Sequence, residues 1–210
     1  MMTLREAFAE APIVAIIRGV RPDEVVAVAQ ALYDGGVRVV EVPMNSPEPL
    51  ESIRVLSQFA GRMVWGAGTV LDEATVDAVA DAGGQIIVSP NTNPAVIRRS
   101  VALGLTPMPG FGSATEAFAA VAAGAKYLKL FPASTYGPEH LKALKAVLPP
   151  DAIVQPVGGV GPDSMAQWWD AGARGFGLGS DLYKPGRPPE EVRARSVAAV
   201  AAVRPLLAGR

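Results

Sequence analysis

Two textures alternate along the chain. Short runs rich in valine, isoleucine and other apolar residues have the length of strands, and longer alanine-rich runs between them carry helical patterns with start signals. The short runs are 13–18 (IVAIIR), 37–43 (VRVVEVP), 63–69 (MVWGAGT), 85–90 (QIIVSP), 105–110 (LTPMPG), 127–132 (YLKLFP), 152–159 (AIVQPVGG) and 174–180 (RGFGLGS). The helical runs include RPDEVVAVAQAL, SPEPLESIRVLSQFA, DEATVDAVADA, NPAVIRRSVAL, SATEAFAAVAA, PEHLKALKAVL and GPDSMAQWWDA, with EEVRARSVAAVAAVRPLL last. Proline or an acid stands in the first turn of most of them, as helix N-termini favour. A short helix is also expected before the first strand.

A repeat supports this alternation. The second, fourth, sixth and eighth strand runs follow helices that end in glycine beside Asp or a small residue: YDGGVRVVEV, DAGGQIIV, AAGAKYLKL and DAGARGFGL. Glycine there fits the left-handed cap that turns a helix into the next strand. Eight strands alternating with helices predict a parallel α/β sheet, and eight units can close into a (β/α)8 TIM barrel. An open doubly wound sheet is the competing architecture, but no glycine-rich phosphate turn follows the first strand. Nothing divides residues 1–210, so one domain is expected.

Composition narrows the chemistry. Half the residues are hydrophobic and the net charge is −1 with both signs interspersed, which argues against nucleic acid or a membrane surface as partner. No apolar stretch approaches the ~18 residues of a membrane span, and the opening MMTLREAFAEAP lacks the apolar core of a secretory signal. A soluble cytoplasmic protein is expected. With no cysteine, disulfides, thiolate nucleophiles and Cys-ligated metals are excluded; with a single histidine, His140, so is a centre built on several imidazoles.

In a barrel of this kind chemistry sits at the C-terminal ends of the strands. Polar residues that do not suit a core converge on that rim: Arg18 ends the first strand, Glu41 lies near the end of the second and Thr69 ends the third. Lys129 is in the sixth, Gly158 and Gly159 end the seventh, and Gly179 and Ser180 end the eighth. Lys129 stands between Leu128 and Leu130. An unpaired buried ammonium costs several kcal/mol, so a neutral amine is favoured there, and a neutral amine attacks carbonyl carbon to form a Schiff base. The plainer alternative is a lysine whose stem packs while its head escapes at the barrel mouth. Lys126, which opens the same strand at the opposite face, has that character.

Glu41 is either an ion-pair partner of Lys129 or Arg18, or the proton shuttle that Schiff-base chemistry needs. Arg18 is either an ordinary salt-bridged residue or a planar fork for a substrate carboxylate. GAGT (66–69) either allows close backbone approach to a ligand, with a hydroxyl donor beside it, or serves tight packing. VGGVGPDS (157–164) ends a strand in two glycines before a helix, and GLGSDLY (177–183) repeats the arrangement; such turns with a helix N-terminus bind anions, and barrels often hold phosphate after strands seven and eight. His140 reads as a helix-surface residue, and Trp168 and Trp169 as packing of the seventh helix.

Taken together, AIIRGV, GGVRVVEVP, GAGTVL, SPN, PMPG, LKLFPAS, VGGV and GLGSDLY resemble, in order and over nearly the whole chain, the 2-keto-3-deoxy-6-phosphogluconate and -galactonate aldolases. The resemblance implies a trimeric barrel enzyme needing no metal or cofactor, with Lys129 as Schiff-base former and Glu41 as general acid/base. It places Thr69 beside the pyruvate-derived part, Pro90 against the site, and Gly158, Gly159, Gly179 and Ser180 around the phosphate. The gluconate enzymes resemble E-V-T-L-R-T after strand two; here the run is EVPMNS, with Asn45 where their arginine stands, and Arg18 supplies the cation. Val157 replaces the threonine of T-G-G. Both departures point to 2-dehydro-3-deoxy-6-phosphogalactonate as substrate, cleaved to pyruvate and D-glyceraldehyde 3-phosphate. The alternatives are the gluconate epimer or 4-hydroxy-2-oxoglutarate, a phosphosugar epimerase on the same barrel, and a non-catalytic phospho-ligand binder in which Lys129 pairs with Glu41.

Overall fold

The alternation folds as written, in a computed structural model that describes residues 2–208. The helix α1 (Leu4–Glu10) precedes β1 (Ile13–Ile16), α2 (Val25–Asp34), β2 (Val39–Pro43), α3 (Pro49–Val55) and β3 (Val64–Gly68). Then follow α4 (Glu73–Asp81), β4 (Ile86–Val88), α5 (Pro94–Ala102), β5 (Thr106–Met108), β6 (Gly110–Phe111) and α6 (Ala114–Ala122). The chain ends with β7 (Tyr127–Leu130), α7 (Ala133–Lys145), β8 (Ile153–Pro156), α8 (Met165–Asp170), β9 (Phe176–Leu178) and α9 (Pro189–Ala208). Among the described residues no helix is long and apolar enough to cross a membrane.

The strands β5-β4-β3-β2-β1-β9 form one parallel sheet and β6-β7-β8 another. Two joints close them into one eight-membered (β/α)8 barrel. Val157, just past β8, bridges to Gly177 of β9, and β5 runs on into β6 through Pro109. That second joint corrects the expectation of one unbroken fifth strand over 105–110: Pro109 has no amide hydrogen to give to a ladder, so the strand divides there. Closure also removes the open doubly wound alternative.

Strand alternation sorts the apolar residues into two cores. Ile13, Ala15, Val40, Val42, Leu128, Leu130, Val154 and Leu178 point outward into a large cluster with the helices. Val14, Val39, Val64, Ile86, Val88 and Met108 point inward, where Leu4, Ala7 and Phe8 of α1 close the N-terminal end of the barrel. The helix α1 is held at its start by a capping box, Thr3 with Glu6. Phe8 meets Tyr127 edge-on, 5.4 Å between centroids. This alternation decides the direction of Lys129: Leu128 and Leu130 belong to the outer core, so the lysine between them faces the interior.

The glycines of the predicted repeat, Gly36, Gly83, Gly124 and Gly172, all take positive φ after their helices. The helix α7 departs from expectation. It starts at Ala133, ahead of the predicted PEHLKALKAVL, and its backbone breaks at Gly137 (φ 76) before Pro138. Trp168 is buried in the helical layer as expected, and Trp169 stacks on Phe176 with Arg174 over its ring.

Candidate active site

Two cavities meet inside the barrel, and Lys129 stands between them. The outer is a cleft at the C-terminal rim, about 650 Å³ including its open mouth, onto which Arg18, Thr69, Pro90 and Lys129 face together with Val157, Gly158, Gly159, Gly179 and Ser180. The inner lies deeper and is lined by Glu41 as well as Lys129, with Val88, Met108, Gln155 and Val157 around them. All the residues expected at the rim are thus brought to one place, with Glu41 one layer below the others.

Lys129 is 8% exposed and Glu41 1%. Burial is the main influence on both, and it disfavours the charged form of each. It pushes the Glu41 carboxyl from 4.5 up to about 7, against the opposing pull of the Lys129 and Arg18 charges. It lowers Lys129, helped by repulsion from Arg18 and resisted by the attraction of Glu41. The two shifts converge: the lysine gives up its proton more readily, and the glutamate holds its own more tightly, than either would in water. Among the described residues no ion pair joins Lys129 to Glu41. The Lys129 Nζ instead lies 4.8 Å from the centre of the Phe131 ring. Lys126, by contrast, is exposed on the outside.

Space for the Glu41 carboxyl comes from Gly68. A Cβ on that glycine would sit 1.9 Å from Glu41 Oε2. The GAGT glycines therefore make room for a protein carboxylate and for strand packing: a Cβ on Gly66 would run into the Ile86 carbonyl. Thr69, next in the chain, has φ 60, a conformation that non-glycine residues rarely adopt and that tends to occur at functional sites.

Arg18 is exposed above the cleft, and its Nη1 donates to Asn45 Oδ1. The adjacent Gly19 N–H donates to Ser46 Oγ at 2.9 Å. The loops after β1 and β2 are thereby tied together, and Asn45 acts on Arg18 where the gluconate pattern has its own cation. Gly158 and Gly159 have φ 93 and 75, so two successive left-handed residues turn the backbone where a side chain would be strained. Beyond them Pro162–Ser164 form a 3₁₀ turn before α8. After β9 no helix starts until Pro189; Gly179 instead opens a turn in which its carbonyl accepts from Leu182 and Tyr183 at 2.9 Å each. The phosphate-type features here are thus backbone turns, and the helix N-terminus expected after the eighth strand is absent.

Several participants escaped sequence reasoning. Phe131 and Asp181 face the cleft and Gln155 lies beneath Lys129, its register partner; only Phe131, beside Lys129 in LKLFP, had a visible signal. His140 is half-buried, not simply on the helix surface: its Nε2 is 2.7 Å from the Gly112 carbonyl and its ring stacks on Tyr136. No group of three or more His, Cys, Asp or Glu among the described residues is placed to hold a metal ion.

Residues 4–202 match the model of a protein family described as KDPG and KHG aldolase. The chain is 50% identical over 194 residues to the 2-dehydro-3-deoxy-6-phosphogalactonate aldolase of Escherichia coli (strain K12), covering 92% of this chain and 95% of that one. A solved structure described as native KDPGal superposes with a TM-score of 0.92 at 48% identity, covering 95% of this chain and 97% of that one. A cube-shaped cage designed by fusing symmetric oligomeric domains matches with a TM-score of 0.93 at 48% identity, over 95% of this chain and 74% of the cage chain.

Proposed function

The chain belongs to the KDPG and KHG aldolase family, and from that premise we propose that it cleaves 2-dehydro-3-deoxy-6-phosphogalactonate to pyruvate and D-glyceraldehyde 3-phosphate through a Schiff base on Lys129. The enzyme is a carbon–carbon lyase. The substrate is that of the Escherichia coli relative, and Val157 and Asn45 depart from the gluconate pattern in the same direction.

In this reading the neutral Lys129 amine adds to the C2 ketone, and the protonated Glu41 carboxyl gives the proton with which the carbinolamine loses water, leaving an iminium and a Glu41 carboxylate. Glu41, directly or through water, takes the proton of the C4 hydroxyl. The C3–C4 bond breaks, its electron pair enters the iminium to form an enamine, and D-glyceraldehyde 3-phosphate departs. Protonation of the enamine at C3 and attack of water at C2 release pyruvate and restore the amine. Arg18 and Thr69 orient the carboxylate, Pro90 and Val157 shape the wall, and the backbone around Gly158, Gly159, Gly179 and Ser180 holds the phosphate. The single observation behind the assignment is an inward lysine, 8% exposed at the foot of the cleft, with a buried carboxyl in the cavity below it.

A homotrimer and a cytoplasmic location belong to the same proposal. The match to symmetric oligomeric domains supports an assembly, as do the exposed apolar side chains of Val101, Leu103 and Phe118. The direct test of the chemistry is borohydride reduction with pyruvate, followed by peptide mapping. A reduced adduct should appear on the peptide holding Lys129, and Lys129→Ala should remove both the adduct and turnover while Lys126→Ala keeps both. An adduct elsewhere, or none at all, would sink the assignment.

A further inference from the structure

The turn after β9 is held from behind by a side chain that sequence reasoning passed over. Arg187 is seven residues downstream of Ser180, and its side chain is only 8% exposed. Its Nη1 donates to the Ser180 carbonyl at 2.9 Å and to the Asp181 carbonyl at 3.3 Å. Its Nε faces Glu191 Oε1 at 3.2 Å. Glu191 also accepts from Arg195 Nε at 2.8 Å, and Arg195 Nη1 reaches the same Asp181 carbonyl at 3.3 Å. Arg187, just ahead of α9, and Glu191 and Arg195 within it thus form an Arg–Glu–Arg brace on the carbonyls of the turn.

Peptide geometry turns this brace into a statement about the cleft. In a trans peptide the C=O and N–H point to opposite sides. The Gly179 carbonyl is engaged by the Leu182 and Tyr183 amides, which turns the Ser180 N–H the other way. The Ser180 carbonyl is engaged by Arg187, which does the same for the Asp181 N–H. Among the described residues neither of these two N–H groups donates to a backbone carbonyl, and both residues face the cleft. Successive amides aimed at one concavity form an anion-binding nest.

We propose that Arg187 is a positioning residue for the substrate phosphate: by holding the Ser180 and Asp181 carbonyls outward, it aims the Ser180 and Asp181 amides into the cleft, and Asp181 joins the anion site through its backbone rather than its carboxylate. This rests on the phosphate-anchoring part of the proposed function. Arg187 does not touch the substrate, so its removal weakens grip on the phosphate without touching the chemistry at Lys129.

The test compares two aldol acceptors with pyruvate, D-glyceraldehyde 3-phosphate and unphosphorylated D-glyceraldehyde, and uses inorganic phosphate as a competitive probe. In Arg187→Met the ratio of kcat/KM for the phosphorylated over the unphosphorylated acceptor should fall about tenfold, on the scale of one hydrogen bond to a charged group. The phosphate inhibition constant should rise by a similar factor. Arg187→Gln, which keeps one donor, should recover part of the ratio. If both acceptors suffer equally, or the ratio is unchanged, the brace is merely structural and the inference is overturned. Absence of phosphate inhibition in the wild-type enzyme overturns the phosphate reading itself, and this inference with it; loss of the borohydride adduct speaks only to Lys129.

Discussion

Replacing Glu41 with glutamine separates the energetic cost of the buried carboxyl from its chemistry. The side chain keeps its shape against Gly68, but the group no longer titrates. In the wild-type protein burial moves the carboxyl from 4.5 to about 7, and at about 1.4 kcal/mol per factor of ten that corresponds to about 3 kcal/mol. The sign follows from linkage. The folded state binds this proton more tightly than the unfolded chain does. Its contribution to stability is therefore fully present below 4.5, falls as pH rises, and is gone above about 7. Lys129, lowered by burial, acts oppositely, and because the Glu41 charge resists that lowering, losing the charge takes back part of the gain at high pH. Glu41→Gln should match the wild type near pH 4.5 and exceed it by up to about 3 kcal/mol at pH 8, a rise in Tm of up to roughly 6–12 °C for a chain of this size. At the same time kcat should fall by about 10²–10⁴, the usual scale for loss of a general base. Thermal unfolding from pH 4.5 to 8, alongside steady-state kinetics, reads both. Parallel stability profiles for the two proteins would refute the buried, proton-holding carboxyl, and unimpaired kcat would refute its role as base.

Other substitutions probe the rest of the site. Gly68→Ala places a methyl 1.9 Å from Glu41 Oε2, so the carboxyl must move; kcat should fall at least about tenfold, the cost of even a modest misplacement, and a fully active variant would contradict the packing. Val157→Thr puts a hydroxyl on the cleft wall next to Gly158; the ratio of kcat/KM for the galacto over the gluco epimer should fall, and an unchanged ratio would remove Val157 from substrate selection.

Much of the candidate site was legible because it depends on local rules. A lysine alternating with Leu128 and Leu130 must face away from the helices if its neighbours face toward them, and a pair of glycines at 158–159 announces a turn that few other residues make. Glu41 was visible for the same reason as Lys129, an ionisable residue inside an apolar strand. His140 misled because its partner, the Gly112 carbonyl, is 28 residues away. The helix expected after the eighth strand misled because GLGSDLY and VGGVGPDS read alike, while their backbones continue differently.

By itself, then, the order of residues determined the alternation of strands and helices, the direction in which each strand side chain points and the chemical kind of group held inside. These follow from periodicities of two and 3.6 residues and from the scarcity of unpaired charge in a core, and both are properties of neighbouring positions. Only the tertiary structure decided that Gly68 yields its volume to Glu41, that Asn45 holds Arg18, that the barrel closes between Val157 and Gly177, and that Arg187 holds the Ser180 and Asp181 carbonyls of the turn after β9. Each of these joins different segments of the chain through a contact whose existence depends on how the barrel curls, and no local pattern records that curvature.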